Sequence, residues 1–265
     1  RTSPFAFTGN KFELRAVGSS TNSAQPMTAL NTAVANQLIK FKALVDKGIA
    51  NGGDQKKIII AELKKALVSA QSILFEGNNY SDEWATEAEK RGLSNIKNTP
   101  EALKAYISKQ ALETFVENGV FTKEELHARY EIMLEDYMKK IQIEGRVLGE
   151  LIYSYVLPPA IEYLTTLANN VKSLKNAGLK AGTAQSELIE AISGHIDAAK
   201  LKTDKMVDAR KKANKMSDSE KQAVSYYYDV KESFDGIRVH ADKLEHLIDD
   251  KIWELPKYRE LLFIK

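Results

Sequence analysis

Cysteine is absent from this chain of 265 residues, and proline and glycine are scarce, with six and 14 copies. The lack of cysteine excludes disulfides, thiol nucleophiles, iron–sulfur clusters and cysteine-ligated zinc, and it fits a reducing compartment. The scarcity of turn-forming residues, in a chain rich in Ala, Leu, Lys and Glu, predicts a mainly helical fold.

Charge of one sign and long hydrophobic runs are also missing. The 38 Lys and Arg residues nearly balance the 36 Asp and Glu residues, so the chain has no general attraction for nucleic acid or an anionic membrane. The most hydrophobic stretch, 147–168, is interrupted by Glu150, Glu162 and the pair Pro158-Pro159, so we predict no membrane-spanning segment. Neither nucleic acid nor a membrane is expected as a partner.

The first 17 residues predict a β-hairpin, with alternating apolar residues on both sides of the turn-forming triplet Thr8-Gly9-Asn10. On the second strand, Lys11, Glu13 and Arg15 occupy alternate positions and therefore share one face. Such a row is typical of a solvated strand face. It also matches a nucleotide site in which a carboxylate holds Mg²⁺ between phosphate-binding cations, although the pattern by itself is weak evidence for that interpretation.

The rest of the chain predicts helices separated by glycines and short polar links. Start signals for helices stand at Pro26, Asp54, Ser81, Thr99 and Thr122. The helix that starts at Thr122 is predicted to kink or break at Pro158-Pro159, because proline cannot continue the hydrogen-bond ladder.

The last predicted helix, about 218–252, has the clearest apolar repeat in the chain. Its apolar residues follow one another at alternating steps of four and three, which is a heptad seam: Ala223, Tyr227, Val230, Phe234, Ile237, Ala241, Leu244 and Ile248. A helix over about 183–215 precedes it, and the short polar link between them predicts an antiparallel pair. The predicted fold is therefore mainly α: an N-terminal β-hairpin and then a multi-helix bundle with a coiled-coil-like helical hairpin over about 183–252.

Motifs of several common enzyme classes are missing from the sequence. There is no phosphate-binding glycine loop and no G-x-S-x-G, and the four histidines lack the spacing of a zinc site. On these patterns alone, a stand-alone helical interaction or scaffolding module is slightly favoured.

The opening segment R-T-S-P-F-A-F-T-G-N-K-F-E-L-R resembles the late active-site segment of glutamine synthetases, and in detail that of the type III enzymes. Arg1 matches the arginine of the family's N-R-S, and Lys11 matches a basic position. Glu13 matches the metal carboxylate, and Arg15 matches the substrate arginine. Asn22 matches the asparagine of the family's A-A-N-P.

The resemblance extends over essentially the whole chain. Further matches in the same order lie at Gly119-Val120-Phe121-Thr122, Ala128-Arg129-Tyr130-Glu131, Leu157-Pro158-Pro159-Ala160 and 253–263. Ala16-Val17-Gly18-Ser19 replaces the F-P-D-P of the commoner type I enzymes. The preceding loop is shorter and has no clear counterpart of one phosphate-binding arginine, so the residue that takes its place stays open.

The resemblance implies the C-terminal portion of an ATP-dependent glutamate–ammonia ligase of nitrogen metabolism. Glu13 would bind Mg²⁺ or Mn²⁺, Arg1 and Lys11 would contact ATP phosphates, and Arg15 would contact the glutamate carboxylate or the departing phosphate. No complete catalytic set lies in this chain, so we expect it to be inactive alone, with no cofactor bound.

The resemblance also implies a domain division and an assembly. Residues 1–50 would be the last strands and first helix of the catalytic domain, and 51–265 would be a helical C-terminal region. The chain begins without an initiator methionine and is expected to be the tail of a longer protein. That protein would be a cytoplasmic homo-oligomer with a ring arrangement, and its substrates would be glutamate, ammonia and ATP.

Overall fold

The computed structural model describes residues 5–15, 21–78, 80–180 and 182–263 and is predominantly helical. The described helices are α1 (Ala24–Ala50), α2 (Gln55–Ser69), α3 (Asp82–Lys90), α4 (Thr99–Leu103), α5 (Lys109–Glu117), α6 (Lys123–Leu151), α7 (Leu157–Asn176), α8 (Thr183–Ala213), α9 (Ser219–Ser225) and α10 (Phe234–Leu247). The mainly α fold class is confirmed. Within the described ranges, no helix combines the length and apolar character needed to cross a membrane.

The N-terminal hairpin is confirmed by strands β1 (Phe5–Phe7) and β2 (Phe12–Leu14), which pair antiparallel. Gly9 lies in the connecting turn with φ 101°, a conformation that costs glycine nothing because it has no Cβ. The turn is closed by the backbone N–H of Thr8, which donates to the carbonyl oxygen of Lys11 at 2.9 Å. This turn sets the register in which Phe7 faces Phe12.

Side-chain caps explain why several helices begin where the sequence predicts. Asp54 accepts from the backbone N–H of Lys57 at the start of α2, and Ser81 caps α3 in the same way. At α6, the Thr122 hydroxyl accepts from the N–H of Glu125, and the Glu125 carboxylate accepts from the N–H of Thr122. This reciprocal pair is the predicted capping box.

The chain stays helical through Pro158-Pro159, so of the two predicted alternatives, a kink or a break, the break is wrong. A π turn, Ile152–Val156, joins α6 to α7, and the run 123–176 forms one helix of 54 residues. The prolines occupy the first turn of α7. Their missing N–H groups do little harm there, because the π turn has already changed the hydrogen-bonding step.

The same π turn changes which side chains are buried. The spacing of Leu148, Leu151 and Tyr155 predicts Tyr155 on the apolar stripe of this helix. Tyr155 is 37% exposed, however, whereas Ile152 and Val156 are buried. The wider turn takes up one extra residue and rotates the helix face, so an apolar repeat extrapolated with a regular α-helical period misses the shift.

The described residues form two compact units, one from 1–97 and 104–128 and one from 98–103 and 129–265. In the first unit α1 packs against α2, and Gly48 lies so close to Ile58 that a Cβ there would be 2.9 Å from the Ile58 Cγ2. In the sequence, the apolar repeat of Val34, Leu38 and Val45 predicts one buried face on α1. Val45 is buried, but Val34 and Leu38 are 53% and 62% exposed. Helix α1 is therefore covered over only part of its length by the described chain.

The second unit holds the main hydrophobic core and the predicted helical hairpin. Helices α8 and α10 pack closely. Ile237 and Leu244 are fully buried and Lys231 and Asp235 are exposed, as the heptad pattern predicts, whereas Phe234, also predicted to be buried, is half-buried. A second π turn, Tyr226–Val230, interrupts the last helix and moves Tyr226 into the core in place of Tyr227. The antiparallel hairpin is thus confirmed, with a local shift of one residue.

Candidate functional site

The residues singled out on the second strand lie together on β2 and its flanks. The Glu13 carboxylate is placed between two cations, with its Oε1 3.5 Å from Lys11 Nζ and its Oε2 3.1 Å from Arg15 Nη2. The strand period puts these alternate side chains on one side of the backbone, as the sequence predicts. Phe12 is 61% exposed.

The electrostatic surroundings keep the Glu13 carboxylate ionised. The hydrogen bond from Arg15 is the main cause that lowers the pKa of Glu13, and Lys11 adds to it, while partial desolvation acts in the opposite direction. An ionised carboxylate with oxygens directed at cations offers acceptor atoms to a metal ion or to the positive side chains beside it.

Two further residues were matched to the family, Arg1 and Asn22, and the structure describes only Asn22. Arg1 lies outside the described residues. The Asn22 side-chain oxygen accepts from the backbone N–H of Ala24 at 2.8 Å, so this amide orders the start of α1.

The described part of the chain supplies one carboxylate where a magnesium ion takes about six oxygen ligands. Across those residues, no three His, Cys, Asp or Glu side chains gather in a way that could hold a metal ion. A divalent ion bound at Glu13 would therefore need further ligands from beyond the described residues.

A histidine pair that the sequence analysis missed lies in the second unit. Nδ1 of His195 on α8 and Nδ1 of His240 on α10 are 3.0 Å apart, and both rings are partly buried. The sequence does contain a signal for this pair. The two histidines are equally many residues away from the link at Ser217 and Asp218, so an antiparallel hairpin brings them opposite each other. A histidine spacing rule within one helix does not detect such a pair.

Comparison with known proteins places the chain among related sequences. Residues 58–175 match the family described as the glutamine synthetase C-terminal domain. A glutamine synthetase of Bacteroides fragilis is 44% identical over 270 residues, which is 100% of this chain and 37% of the relative. A glutamine synthetase of Butyrivibrio fibrisolvens is 34% identical over 99% of this chain, and a type-3 glutamine synthetase of Dictyostelium discoideum is 33% identical over 100%.

The three alignments cover very different shares of this chain and of its relatives. Each uses nearly all of this chain but about 37% of the relative's length. The matching family is the C-terminal domain, and it begins at residue 58, just inside α2. The chain therefore belongs to the glutamine synthetase family and corresponds to the C-terminal portion of its members.

Proposed function

We propose that this chain supplies the last active-site strand and the helical C-terminal region of an ATP-dependent ligase that makes glutamine from glutamate and ammonia. The observation that carries the proposal is the end-to-end match to glutamine synthetases. The placement of Glu13 between two cations is consistent with it, because phosphoryl transfer from ATP needs a carboxylate for a divalent ion and cations for the charge on phosphate.

Each residue of the row has a role in this proposal. Glu13 is one oxygen ligand of Mg²⁺ or Mn²⁺, and the bound ion would neutralise charge on the ATP phosphates. Lys11 and Arg1 contact phosphate oxygens, and Arg15 holds the glutamate carboxylate or the departing phosphate. In the described chain alone, Lys11 and Arg15 neutralise Glu13 instead, so their release from the carboxylate is part of assembling the complete site.

The domain division is part of the same proposal. We assign 1–50 to the catalytic domain and 51–265 to the helical region, with the hairpin at about 183–252. The exposed apolar side chains of α1 support this division, because Val34 and Leu38 need a cover that the described residues do not supply. The full-length protein is proposed to be a ring-shaped homo-oligomer in the cytoplasm.

The experiment that tests this proposal replaces one carboxylate oxygen of Glu13 with an amide nitrogen. Glu13→Gln in the full-length protein keeps the shape and removes the charge, and we expect glutamine formation at saturating Mg²⁺ and ATP to fall about a hundredfold. Glu135→Gln is the control, because this glutamate pairs with Lys139 on the exposed surface of α6. A rate for Glu13→Gln close to that of the control would contradict the assignment.

A further inference from the structure

The register between α6 and α8 places two arginines opposite each other. The helices run antiparallel: Gln142 Nε2 donates to Asn214 Oδ1 at 3.1 Å at one end, and the Tyr153 hydroxyl donates to Asp204 near the other. Between these contacts each step forward on α6 corresponds to a step back on α8. Since Gly149 also lies against Val207 in this register, the alignment of the two helices is continuous.

Arg146 is one turn beyond Gln142 on α6, and Arg210 is one turn before Asn214 on α8. The two arginines therefore occupy facing positions directly above the Gln142–Asn214 hydrogen bond. Two cations at facing positions repel each other unless a negative charge lies between them.

Within the described residues, neither Arg146 nor Arg210 forms an ion pair with a carboxylate. The ion pairs and side-chain hydrogen bonds there involve other arginines, and Nε of Arg210 is buried with no hydrogen-bond partner. A buried donor of a charged group without a partner is costly, and native structures rarely keep one without a reason.

The positive charges of both arginines also act on the phenol of Tyr226. Burial raises the pKa of Tyr226, and the positive charges of Arg210 and Arg146 both act against that rise. The Tyr226 hydroxyl donates to Asn214 Oδ1, the oxygen that also accepts from Gln142. That leaves the amide N–H groups of Asn214 as further donors beside the arginines.

The helix dipole accounts for the position of Arg210 but not for that of Arg146. Arg210 belongs to the last turn of α8, where a cation is favourable next to the helix carbonyl groups. Arg146 lies well inside α6, so the same argument does not account for a second cation opposite the first. A ligand that needs donors and positive charge accounts for both.

We propose that Arg146 and Arg210 bind a small oxyanion of the phosphate type between α6 and α8. Guanidinium groups bind such oxygens with paired hydrogen bonds, and the exposure of Arg146 leaves the site open to solvent. The site is remote in sequence from the hairpin that carries Glu13, and the proposal does not depend on the proposed function.

The test measures binding of inorganic phosphate to the 265-residue chain by isothermal titration calorimetry, with NaCl added to hold ionic strength constant. We expect Arg146→Gln and Arg210→Gln each to weaken binding about tenfold or more, since each removes charge-assisted hydrogen bonds. Arg210→Lys keeps the charge but loses the paired geometry, and its affinity should lie between those of wild type and Arg210→Gln.

Two control variants separate this site from other cations. Arg238→Gln removes an arginine that pairs with Asp242 on α10, and Arg259→Gln removes an arginine that pairs with Asp250 beyond α10. Both should bind phosphate within about twofold of wild type, since neither touches the α6–α8 seam. An equal loss in either control, or no loss in Arg146→Gln and Arg210→Gln, overturns the proposal.

A thermal measurement keeps the proposal testable if a variant is altered in folding. Phosphate should raise the melting temperature of wild type more than NaCl does at equal ionic strength, and this difference should vanish in Arg146→Gln. Without phosphate, both glutamine variants should melt no lower than wild type, because the repulsion between the arginines is removed. Equal protection by NaCl and phosphate overturns the proposal.

Discussion

Single side chains in this protein acquire their properties from partners that are distant in sequence. The His195–His240 contact is an example, because one Nδ1 must accept the proton that the other donates. Burial lowers the pKa of His240, and the nearby charges of His195 and Lys202 lower it further. The folded hairpin therefore resists protonation of His240.

This histidine predicts a pH dependence of stability. Because the pKa of His240 is lower in the folded state than in the unfolded chain, the unfolded state takes up the proton first. The contribution to the free energy of unfolding is full above about pH 6.5 and is lost as the pH falls below that value. We expect urea unfolding of the chain between about pH 7.5 and about pH 5.5 to lose more stability in wild type than in His240→Gln.

The control for this pH experiment is His127→Gln, which changes an exposed histidine on α6. It should keep the pH dependence of wild type, because this exposed side chain is not a member of the His195–His240 pair. If wild type and both variants lose the same stability on acidification, the His195–His240 pair does not respond to pH.

The capping box at Thr122 gives a second prediction at this scale. Thr122→Ala removes the acceptor for the N–H of Glu125, so it should reduce the free energy of unfolding by about 1 kcal/mol in urea denaturation. Thr165→Ala, an exposed threonine inside α7 that bonds only to the Ile161 carbonyl, should change it by less than about 0.5 kcal/mol. A similar loss in both variants would contradict the capping role.

Sequence reasoning succeeded for residues whose partners are close in the chain. The shared face of Lys11, Glu13 and Arg15 follows from the strand period, and the cap at Thr122 follows from local hydrogen bonding. It missed the His195–His240 pair because that contact depends on how two helices align, which no local pattern specifies. The metal role of Glu13 came from resemblance to a family, since one carboxylate between two cations is compatible with an ordinary surface.

At the scale of elements, the two long helices of the hairpin are held by apolar side chains at heptad positions. The repeat predicted Ile237 and Leu244 as buried, and they are. It placed Tyr227 in the core where the structure places Tyr226, because a π turn cannot be read from an apolar period that assumes regular α-helical turns.

Core packing in this hairpin predicts that truncating one buried side chain greatly lowers the free energy of unfolding. Ile237→Ala removes a fully buried side chain between α10 and α8 and should cost about 2–5 kcal/mol in chemical denaturation. Val239→Ala, two residues further along α10, changes a side chain that is 55% exposed and should cost less than about 0.5 kcal/mol. Comparable losses would mean that the hairpin seam contributes little to stability.

At the scale of the whole molecule, the described chain covers part of the apolar surface that its helices present. Val34 and Leu38 on α1 are exposed, and the relatives are longer than this chain by well over half of their own length. The fold class was predictable from composition, while the cover for α1 was not, because an apolar stripe shows that a face is buried without showing what buries it.

Comparing the 265-residue chain with the full-length protein tests whether the exposed apolar face of α1 is covered in the longer protein. Leu38→Asp should leave the thermal stability of the 265-residue chain nearly unchanged, since the side chain is already in water. In the full-length protein the same change should lower the free energy of unfolding by about 2 kcal/mol or more, because a charge would be forced into an apolar contact. Ile132→Asp on α6 is the control, being 63% exposed, and should have little effect at either length. An unchanged full-length protein would contradict the proposed cover.

The first π turn has a consequence for how sequences of this kind should be aligned. A π turn holds one residue more than an α-helical turn, so the helix at Ile152–Val156 contains a surplus residue without a loop to mark it. After the π turn at Tyr226–Val230, the tighter 3-10 turn Lys231–Ser233 takes back the extra length. A homologue that lacks the surplus residue at Ile152–Val156 would keep both helix ends in place and close the turn to a regular α-helix. The correct alignment would then contain a one-residue gap in the middle of a helix. Alignment methods that assign a high penalty to gaps inside helices would place this gap wrongly.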